Sequence, residues 1–244
     1  MDKKSHYKKQ KKYFNREFSA VKNYELEAWQ QSYIDRIKLH MLDKKYKKKT
    51  LLDIATGTGY IAVEMARLGM KVVACDLSKQ ALKNLQKYKT KFKLTNLTLV
   101  ECKAEELPFK DVSFDYITAN AILEHIPEEQ IAISEWKRVL KKKGRMFVVV
   151  PLKFRYIWPF LWLPNFFHDK QIGHLRRYDL PTLKKRFKLR IKKYFYTGHL
   201  VKIYPILLSK ISKQYTFNDY FEKKDRQQER ILYGANNIAV IFEK

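Results

Sequence analysis

Residues 51–60 read LLDIATGTGY and contain the pattern from which the fold can be inferred. Residues of strand type precede Gly57 and Gly59, and an apolar-periodic segment from Ile61 to Leu68 follows, which predicts strand, tight turn and helix. Glycine suits such a turn because positive φ costs it little. Its missing Cβ also lets a ligand lie against backbone N–H groups at the helix N-terminus. The stretch therefore predicts a site for a nucleotide-like ligand.

The two glycines alone do not separate two kinds of nucleotide-binding fold. The run from Gly57 to Ala62 also fits the glycine fingerprint of NAD-binding folds, with Ala62 in the third place. Asp53 favours a different fold, because a carboxylate inside an apolar strand is costly unless it is hydrogen-bonded near the strand end. An ordinary core strand followed by a turn is the alternative without a ligand.

With Asp53 included, the stretch resembles the first motif of the class I S-adenosyl-L-methionine (SAM) methyltransferases. From about Tyr13 to Tyr178 the chain is similar to the small-molecule group called methyltransferase type 11, the ubiquinone/menaquinone methylase-like family. The resemblance implies SAM as cofactor, S-adenosyl-L-homocysteine as product, and Asp53 as an anchor of the glycine loop and the methionine amino group. The cofactor-binding residues that it implies are Asp53, Ala55, Gly57, Gly59, Asp76, Leu77, Ala104, Glu105 and Asn120.

The chain is strongly basic. It carries 51 lysines and arginines against 25 acidic residues, a formal charge of +26, and 39 of the 51 are lysine. Such a charge suggests a nucleic-acid or anionic-membrane partner. A lysine excess beside only seven glycines is also what an A+T-rich genome produces through codon usage. We therefore expect the lysines to act at most at an anionic membrane surface or in solubility, without specific nucleic-acid binding.

The length of 244 residues suits one α/β domain. We expect residues 1–23 to form a basic, flexible tail and residues 24–244 a single domain, with a cap helix in 24–49 and an inserted lid in 151–180. Cys75 and Cys102 cannot make a four-cysteine metal site, so we expect free thiols and no metal. No uncharged apolar run is long enough for a membrane span, and no apolar stretch follows the N-terminal lysines, so a cytoplasmic protein is expected.

Asp76 stands seventeen positions after Gly59, at the end of the predicted second strand. Nucleotide-binding α/β folds place a carboxylate near this interval to accept hydrogen bonds from the ribose hydroxyls. The alternative is that Asp76 is simply a turn or capping residue.

Residues 101–109 resemble the third motif of the family, but Lys103 occupies a position that is usually acidic and that binds the adenine amino group. An ammonium group has only donors and cannot accept from that amine. We therefore expect adenine to be held by the backbone at Ala104, by Glu105 or by a neighbour.

The predicted fourth strand ends at Asn120, and the triplet Leu123-Glu124-His125 follows it closely. The resemblance implies that residues 120–122 line the sulfonium end of SAM and that His125 lies near the methyl group. His125 and His174 are candidates for a general base if the acceptor is a hydroxyl. A structural hydrogen bond is the alternative role for His125.

Strand and helix patterns alternate five times up to residue 150, which predicts a parallel, doubly wound sheet with its ligand at the carboxyl ends of the strands. The resemblance implies the complete fold class. It is a Rossmann-like α/β methyltransferase with a seven-stranded, mostly parallel sheet in the order 3-2-1-4-5-7-6, helices on both faces, and an aromatic lid after strand 5.

The segment 158–178 is rich in aromatic residues without a single helical or strand period, and Pro159 and Pro164 interrupt it. We expect it to form the acceptor side of the site. The alternatives are that the aromatic side chains pack into the core and that the arginines pair with acids such as Asp169 and Asp179 to hold the lid. The substrate-side candidates are Trp158, His168, Arg176 and Arg177.

Together with these patterns, the resemblance implies a SAM-dependent methyltransferase that modifies an oxygen, nitrogen or carbon atom of a small-molecule or lipid-like acceptor. A nucleic-acid methyltransferase is one alternative, but residues 120–123 lack both the Asn-Pro-Pro-aromatic motif that stacks a flipped base and a cysteine nucleophile. A non-catalytic nucleotide-binding protein of the same fold is the other, and Lys103 keeps it open.

Overall fold

The computed structural model describes residues 3–20, 23–199 and 219–244. Seven strands in these residues form one sheet in the order β3-β2-β1-β4-β5-β7-β6. Strands β1 to β5 pair in parallel, and β7 is antiparallel to both β5 and β6. This order confirms the predicted fold class. The strands are β1 (Thr50–Ile54), β2 (Lys71–Asp76), β3 (Leu97–Glu101), β4 (Phe114–Asn120), β5 (Leu140–Pro151), β6 (Arg190–Thr197) and β7 (Asn237–Glu243).

Helices pack on both faces of the sheet, as expected when parallel strands are joined by crossover helices. They are α1 (Lys3–Ser19), α2 (Ala28–Arg36), α3 (Tyr60–Arg67), α4 (Lys79–Lys91), α5 (Glu129–Val139), α6 (Trp162–Ile172), α7 (Leu180–Phe187) and α8 (Asp219–Gln227). A π-helical turn (Ile37–Met41) continues α2, and 3₁₀ turns occupy Leu123–His125, Phe154–Tyr156 and Pro159–Leu161.

The core consists of two apolar clusters, one on each face of the sheet. Side chains alternate along a strand, so Leu51 and Leu52 enter opposite clusters although they are neighbours in sequence. Trp136 of α5 packs in the cluster that contains Leu52, and Ile61 of α3 packs in the other. The glycine turn lies between these clusters at the carboxyl end of β1, where β2 and β4 flank β1 on its two sides. This reversal of strand order is the usual ligand position in open α/β sheets.

The expectation of a flexible tail is wrong for residues 3–19, which form α1, with His6 and Gln10 buried. The lysines conceal an apolar face, because Tyr7, Phe14 and Phe18 recur at helical spacing and all three line the same cavity. Residues 1, 2, 21 and 22, which we also assigned to the tail, lie outside the described residues.

Two predicted boundaries also shift. The cap helix begins at Ala28 and not at Tyr24, because Glu27 and Gln30 form a capping box in which the Gln30 side chain accepts from the Glu27 N–H at 2.9 Å. The apolar spacing of Trp136, Val139 and Leu140 predicts that Leu140 lies in the helix before β5. In the structure β5 begins at Leu140, because this residue pairs with Phe114 of β4.

Candidate active site

A cavity of about 180 Å³ lies at the carboxyl ends of β1, β2 and β4. Its walls are the loops that follow the first four strands, together with one face of α1. The fold thus brings residues from five separate segments to one place. The expected site residues that line the cavity are Ala55, Gly57, Asp76, Leu77, Ala104, Glu105, Asn120 and His125.

Three residues of the glycine turn have a left-handed backbone conformation. Ala55, Gly57 and Gly59 all have positive φ values, of 53°, 54° and 79°. Glycine adopts this left-handed region freely, whereas it costs an alanine about 1 kcal/mol. Strain of this kind is characteristic of functional sites, because the surrounding structure must hold it in place.

Asp76 closes the glycine turn from the end of β2. Its Oδ2 accepts a hydrogen bond from the Gly57 N–H at 2.9 Å, and its Oδ1 accepts one from the Ser78 N–H at 2.7 Å. Burial raises the pKa of Asp76, and these backbone hydrogen bonds act in the opposite direction. Asp76 therefore both organises the turn and presents a carboxylate to the cavity.

Asp53 lies behind the turn and does not line the cavity; its side chain is 3% exposed. Its two oxygens accept hydrogen bonds from Thr118 of β4 at 2.7 Å and from Thr56 at 2.6 Å. Burial raises the pKa of Asp53 to about 6, although both hydroxyls favour the charged form. Its contacts show a positioning role, in which it ties the end of β1 to β4 and to the glycine turn.

The loop after β3 shows how the chain differs where Lys103 replaces the usual acid. The Lys103 side chain is about half exposed, and its ammonium lies 3.9 Å from the carboxylate of Glu106. The Ala104 carbonyl accepts a hydrogen bond from the Trp136 indole at 2.9 Å, so one of its lone pairs is in use. Burial raises the pKa of Glu105, which is the acid that this loop presents to the cavity.

The end of β4 forms the opposite wall. Asn120 donates a hydrogen bond to the hydroxyl of the buried Tyr60 at 2.6 Å, which fixes its amide. Ala121 has a φ of 52°, a second left-handed alanine in the wall. Trp29 of α2 packs edge-on against Tyr60, with ring centroids 5.7 Å apart. The cap helix α2 thus contacts Tyr60, which holds Asn120, but contributes no residue to the cavity lining.

Helix α1 covers the cavity, although residues 1–23 were expected to form a flexible tail. Phe14 and Phe18 stack at 5.9 Å and both line the cavity. The cover is held along its length, because His6 Nε2 contacts the His125 carbonyl at 2.8 Å, Lys11 pairs with Glu101 at 2.8 Å, and Asn15 bonds Ser78 at 2.6 Å. The helical spacing of the aromatic residues among the lysines was the available signal.

The two candidate bases lie together. The ring centroids of His125 and His174 are 4.7 Å apart, and His125 also contacts Phe14. Burial lowers the pKa of His125 to about 3, so this imidazole is neutral at pH 7. The intervening Glu124 is buried as well, and burial raises its pKa to about 7. Of the three, only His125 lines the cavity.

None of the four substrate-side candidates lines this cavity. The two arginines among them contact other residues of the protein. Arg177 forms two hydrogen bonds to Asp169 at 2.6 and 2.8 Å, and others to Leu152 and Asn165. Arg176 donates to the carbonyls of Ile126 and Pro127. These contacts match the alternative in which arginines hold the lid, although Asp179 pairs with Lys153 and Arg155.

The other two candidates, Trp158 and His168, are more exposed. Trp158 packs edge-on against Tyr233 and is 40% exposed. The ring of the exposed His168 lies 6.4 Å from that of His174. Contact of any of the four substrate-side candidates with an acceptor stays a prediction.

Comparison with known proteins agrees with this geometry. A methyltransferase domain model matches residues 52–148. The ubiquinone/menaquinone biosynthesis C-methyltransferase of Rhizobium rhizogenes is 36% identical over 57% of this chain and 57% of its own length. The ubiquinone biosynthesis O-methyltransferase of Pelagibacter ubique is 32% identical over 66% of this chain and 69% of its own.

Solved structures show the same fold. A phosphoethanolamine N-methyltransferase of Haemonchus contortus, in complex with SAM, superposes with a TM-score of 0.65 at 19% identity, over 88% of this chain and 52% of that one. The chain spans between 42 and 64% of the length of three of the ubiquinone and menaquinone methyltransferases that it matches. With the strand order and the cavity, these matches lead to one conclusion: the chain belongs to the class I SAM-dependent methyltransferases, among those of the ubiquinone/menaquinone methylase kind.

Proposed function

We propose that this protein transfers a methyl group from SAM to a small-molecule or lipid-like acceptor of the quinone type. The observation that carries the proposal is the carboxylate of Asp76 at the cavity wall, held by the N–H of Gly57 at 2.9 Å. The names of two relatives, which refer to ubiquinone and menaquinone biosynthesis, support the acceptor class. Residues 24–244 as one methyltransferase domain, with residues 151–180 as its lid, are part of the proposal.

The cavity fits SAM chemically. Each Asp76 oxygen accepts one backbone hydrogen bond and retains acceptor capacity for a ribose hydroxyl. Gly57 exposes its backbone to the same space because it lacks a Cβ. Leu77, Ala104 and Ile126 supply apolar wall for a flat heteroaromatic ring, and Glu105 supplies an acceptor for its amine. Although position 103 is a lysine, Glu105 still provides an acidic group in the same loop.

SAM supplies a methyl group on a positively charged sulfur. The protein contributes position, because holding the nucleophile, methyl carbon and sulfur nearly in line supplies several kcal/mol, on the order of that seen in oriented intramolecular reactions. Phe14 and Phe18 give the cavity an apolar wall, which disfavours the sulfonium charge more than a transition state in which that charge is dispersed.

His125 is the candidate base that reaches the cavity. Its neutral imidazole can accept a proton from an acceptor hydroxyl, and its Nδ1 is buried without a hydrogen-bond partner. His174 lies behind it and acts, in this proposal, through the ring contact with His125. The proposal covers methylation of an oxygen, a nitrogen or a carbon atom of the acceptor.

A lipid-like acceptor agrees with the surface of the lid. Phe160, Leu163 and Phe167 are each at least 60% exposed, on a protein of formal charge +26. Exposed aromatic and aliphatic side chains beside basic residues suit the surface of an anionic membrane, from which a quinone can be drawn. No helix within the described residues is long and apolar enough to cross a bilayer.

Calorimetry with SAM, paired with methyl transfer from labelled SAM to a panel of quinols and phenols, tests the proposal. Asp76→Ala should weaken SAM binding by about 1.5–3 kcal/mol, the contribution of hydrogen bonds to a charged group. Glu106→Ala is the matched control, because it removes a carboxylate that is 83% exposed beside the cavity loop. Its SAM affinity should equal that of the wild type.

Two outcomes would reject the proposal. Tight binding of NAD without binding of SAM would return the glycine turn to the NAD-binding class. Methyl incorporation into RNA or DNA, with sequence-selective binding that survives moderate salt, would favour the nucleic-acid alternative, because nonspecific contacts of lysines with phosphate weaken steeply as salt rises.

A further inference from the structure

Glu124, His125 and His174 form a cluster of potential metal ligands beside the cavity. One carboxylate oxygen and one ring nitrogen from each histidine all lie within 4.8 Å of one another. Glu124 is 1% and His125 5% exposed, and the His174 side chain is 10% exposed. A carboxylate and two imidazoles are therefore gathered where water has little access.

Two atoms of this cluster make no hydrogen bond of normal geometry. Glu124 Oε2 and His125 Nδ1 are both buried without such a bond within the described residues, although the Gly173 backbone lies close enough to the His125 ring to act on its pKa. Buried polar groups are almost always paired, and an unpaired one costs about 1–3 kcal/mol. Two such atoms in adjacent residues indicate that the protein binds something there.

The orientation of His174 is determined by its neighbours. Its Nδ1 lies 2.8 Å from Asp169 Oδ1, and the Asp169 carboxylate also receives two hydrogen bonds from Arg177. A carboxylate that pairs with an arginine is ionised and can only accept, so His174 Nδ1 is the donor. A carboxylate that fixes a histidine in this way is the usual second partner of a metal-binding imidazole.

It follows that, in the neutral imidazole, His174 Nε2 carries the lone pair. This nitrogen lies 3.6 Å from Glu124 Oε1. Two acceptor atoms thus face each other in a buried place, an arrangement that needs a cation between them. A shared proton and a metal ion both satisfy that need, but a proton between these two atoms leaves Glu124 Oε2 and His125 Nδ1 unpaired.

We propose that Glu124, His125 and His174 bind a divalent transition-metal ion, and that its remaining coordination positions take an oxygen of the acceptor. Two histidines and one carboxylate leave such positions open, and imidazole ligands favour Zn²⁺, Co²⁺ and Fe²⁺ over Mg²⁺. Two ligand atoms bound to one such ion are about 3.4 Å apart. The three candidate ligand atoms lie within 4.8 Å of one another, so binding requires the most distant two to approach by at most about 1.4 Å. Because His125 lines the cavity, the ion lies next to the acceptor space.

The acceptor part of the inference rests on the proposed function, whereas metal binding does not. It deepens that function by naming the substrate class: an acceptor with a hydroxyl or carbonyl oxygen close to the atom that is methylated. When His125 binds the ion it would no longer act as the base, and the ion would instead lower the pKa of an acceptor hydroxyl bound to it.

The test uses full-length, untagged protein that has been stripped with a chelator and freed of it by gel filtration. Co²⁺ alone is titrated and followed by its visible d–d absorption, with Zn²⁺ as competitor. One Co²⁺ per chain should bind and Zn²⁺ should displace it. Glu124→Gln and His174→Ala should each weaken binding by about 100-fold or more, since each removes a ligand. His168→Ala, the neighbouring exposed histidine, should bind as the wild type does.

A measurement on the wild type guards against variants that fail to fold. In the Co²⁺-loaded protein, the proton on His174 Nδ1 should give a hyperfine-shifted exchangeable NMR signal that Zn²⁺ removes. The inference is overturned if the wild type shows no saturable binding at millimolar Co²⁺, if the shifted signals come from other histidines, or if folded Glu124→Gln binds equally well.

Failure of this inference is distinguishable from failure of the proposed function. Calorimetry with SAM on the stripped protein reports on the cofactor site without the metal. Normal SAM binding without Co²⁺ binding rejects the metal site alone, whereas Co²⁺ binding without SAM binding rejects the proposed function alone.

Discussion

The phenyl ring of Phe18 rests on the backbone of Gly57: a Cβ placed on Gly57 would lie 3.3 Å from the ring Cζ. A residue of the N-terminal helix and the first glycine of the nucleotide-type turn therefore share one wall of the cavity. This contact explains why the turn requires glycine both for its positive φ and for space. It also makes α1 part of the site.

Gly57→Ala should lower both stability and SAM affinity. A φ of 54° costs an alanine about 1 kcal/mol, and the new methyl group presses on Phe18, so we expect affinity to fall about tenfold. Gly69→Ala is the matched control, because its φ is also positive, at 86°, while nothing lies within 4 Å of the added Cβ. It should lose similar stability in thermal unfolding and keep its SAM affinity in calorimetry. Wild-type SAM binding by Gly57→Ala would contradict this role.

Lys103→Asp should bind SAM about tenfold more tightly than the wild type. The change replaces an ammonium at the cavity wall, which can only donate, by a carboxylate that can accept from the adenine amine. Lys103→Ala removes the positive charge without adding an acceptor. Its SAM affinity should therefore lie between those of the wild type and Lys103→Asp. Weaker binding by Lys103→Asp than by Lys103→Ala would show that adenine lies elsewhere.

Asp179 should contribute to stability in a pH-dependent way. Burial alone would raise its pKa, but hydrogen bonds from Thr182 and Lys153 outweigh burial and hold the pKa of Asp179 at about 2. Because this value lies below the unfolded value near 3.8, the contribution is present above about pH 4 and is lost as pH falls towards 2.

Asp179→Asn should therefore unfold more easily than the wild type at pH 7, by up to about 2 kcal/mol, and the difference should vanish near pH 2. Urea unfolding across this pH range measures it. Asp111→Asn removes a 71% exposed carboxylate and should change stability by no more than about 1 kcal/mol at any pH. A difference at Asp179 that does not depend on pH would refute the electrostatic explanation.

The exposed aromatic surface of the lid should bind anionic vesicles. Phe160→Ser/Phe167→Ser removes two side chains that are each at least 60% exposed, and should reduce sedimentation with phosphatidylglycerol vesicles severalfold. Tyr220→Ser, at 59% exposed on α8, is the control. Binding should weaken with salt and be slight on phosphatidylcholine. Equal loss in the control, or equal binding to both lipids, would argue against a membrane role for the lid.

Much of the cofactor side could be predicted from the sequence because it depends on local patterns. The Asp53-to-Gly59 stretch specifies strand, turn and helix within ten residues, and the interval to Asp76 is set by one helix and one strand. Parallel strands place their carboxyl ends at one edge, so Asp76 and Asn120 meet there whatever the details of packing. Local periodicity and topology were sufficient for these residues.

The cover and the acceptor side depended on tertiary structure. Helix α1 looked like a solvated tail because its lysines outnumber its aromatic residues, and it is the tertiary structure that places Tyr7, Phe14 and Phe18 against the cavity. Glu124 and His174 are fifty residues apart in sequence, and they meet because the Leu175 N–H bonds the Glu124 carbonyl at 2.8 Å and Arg176 bonds the Ile126 carbonyl. Such contacts require closure of a long loop and a specific packing of the lid, which no local pattern encodes.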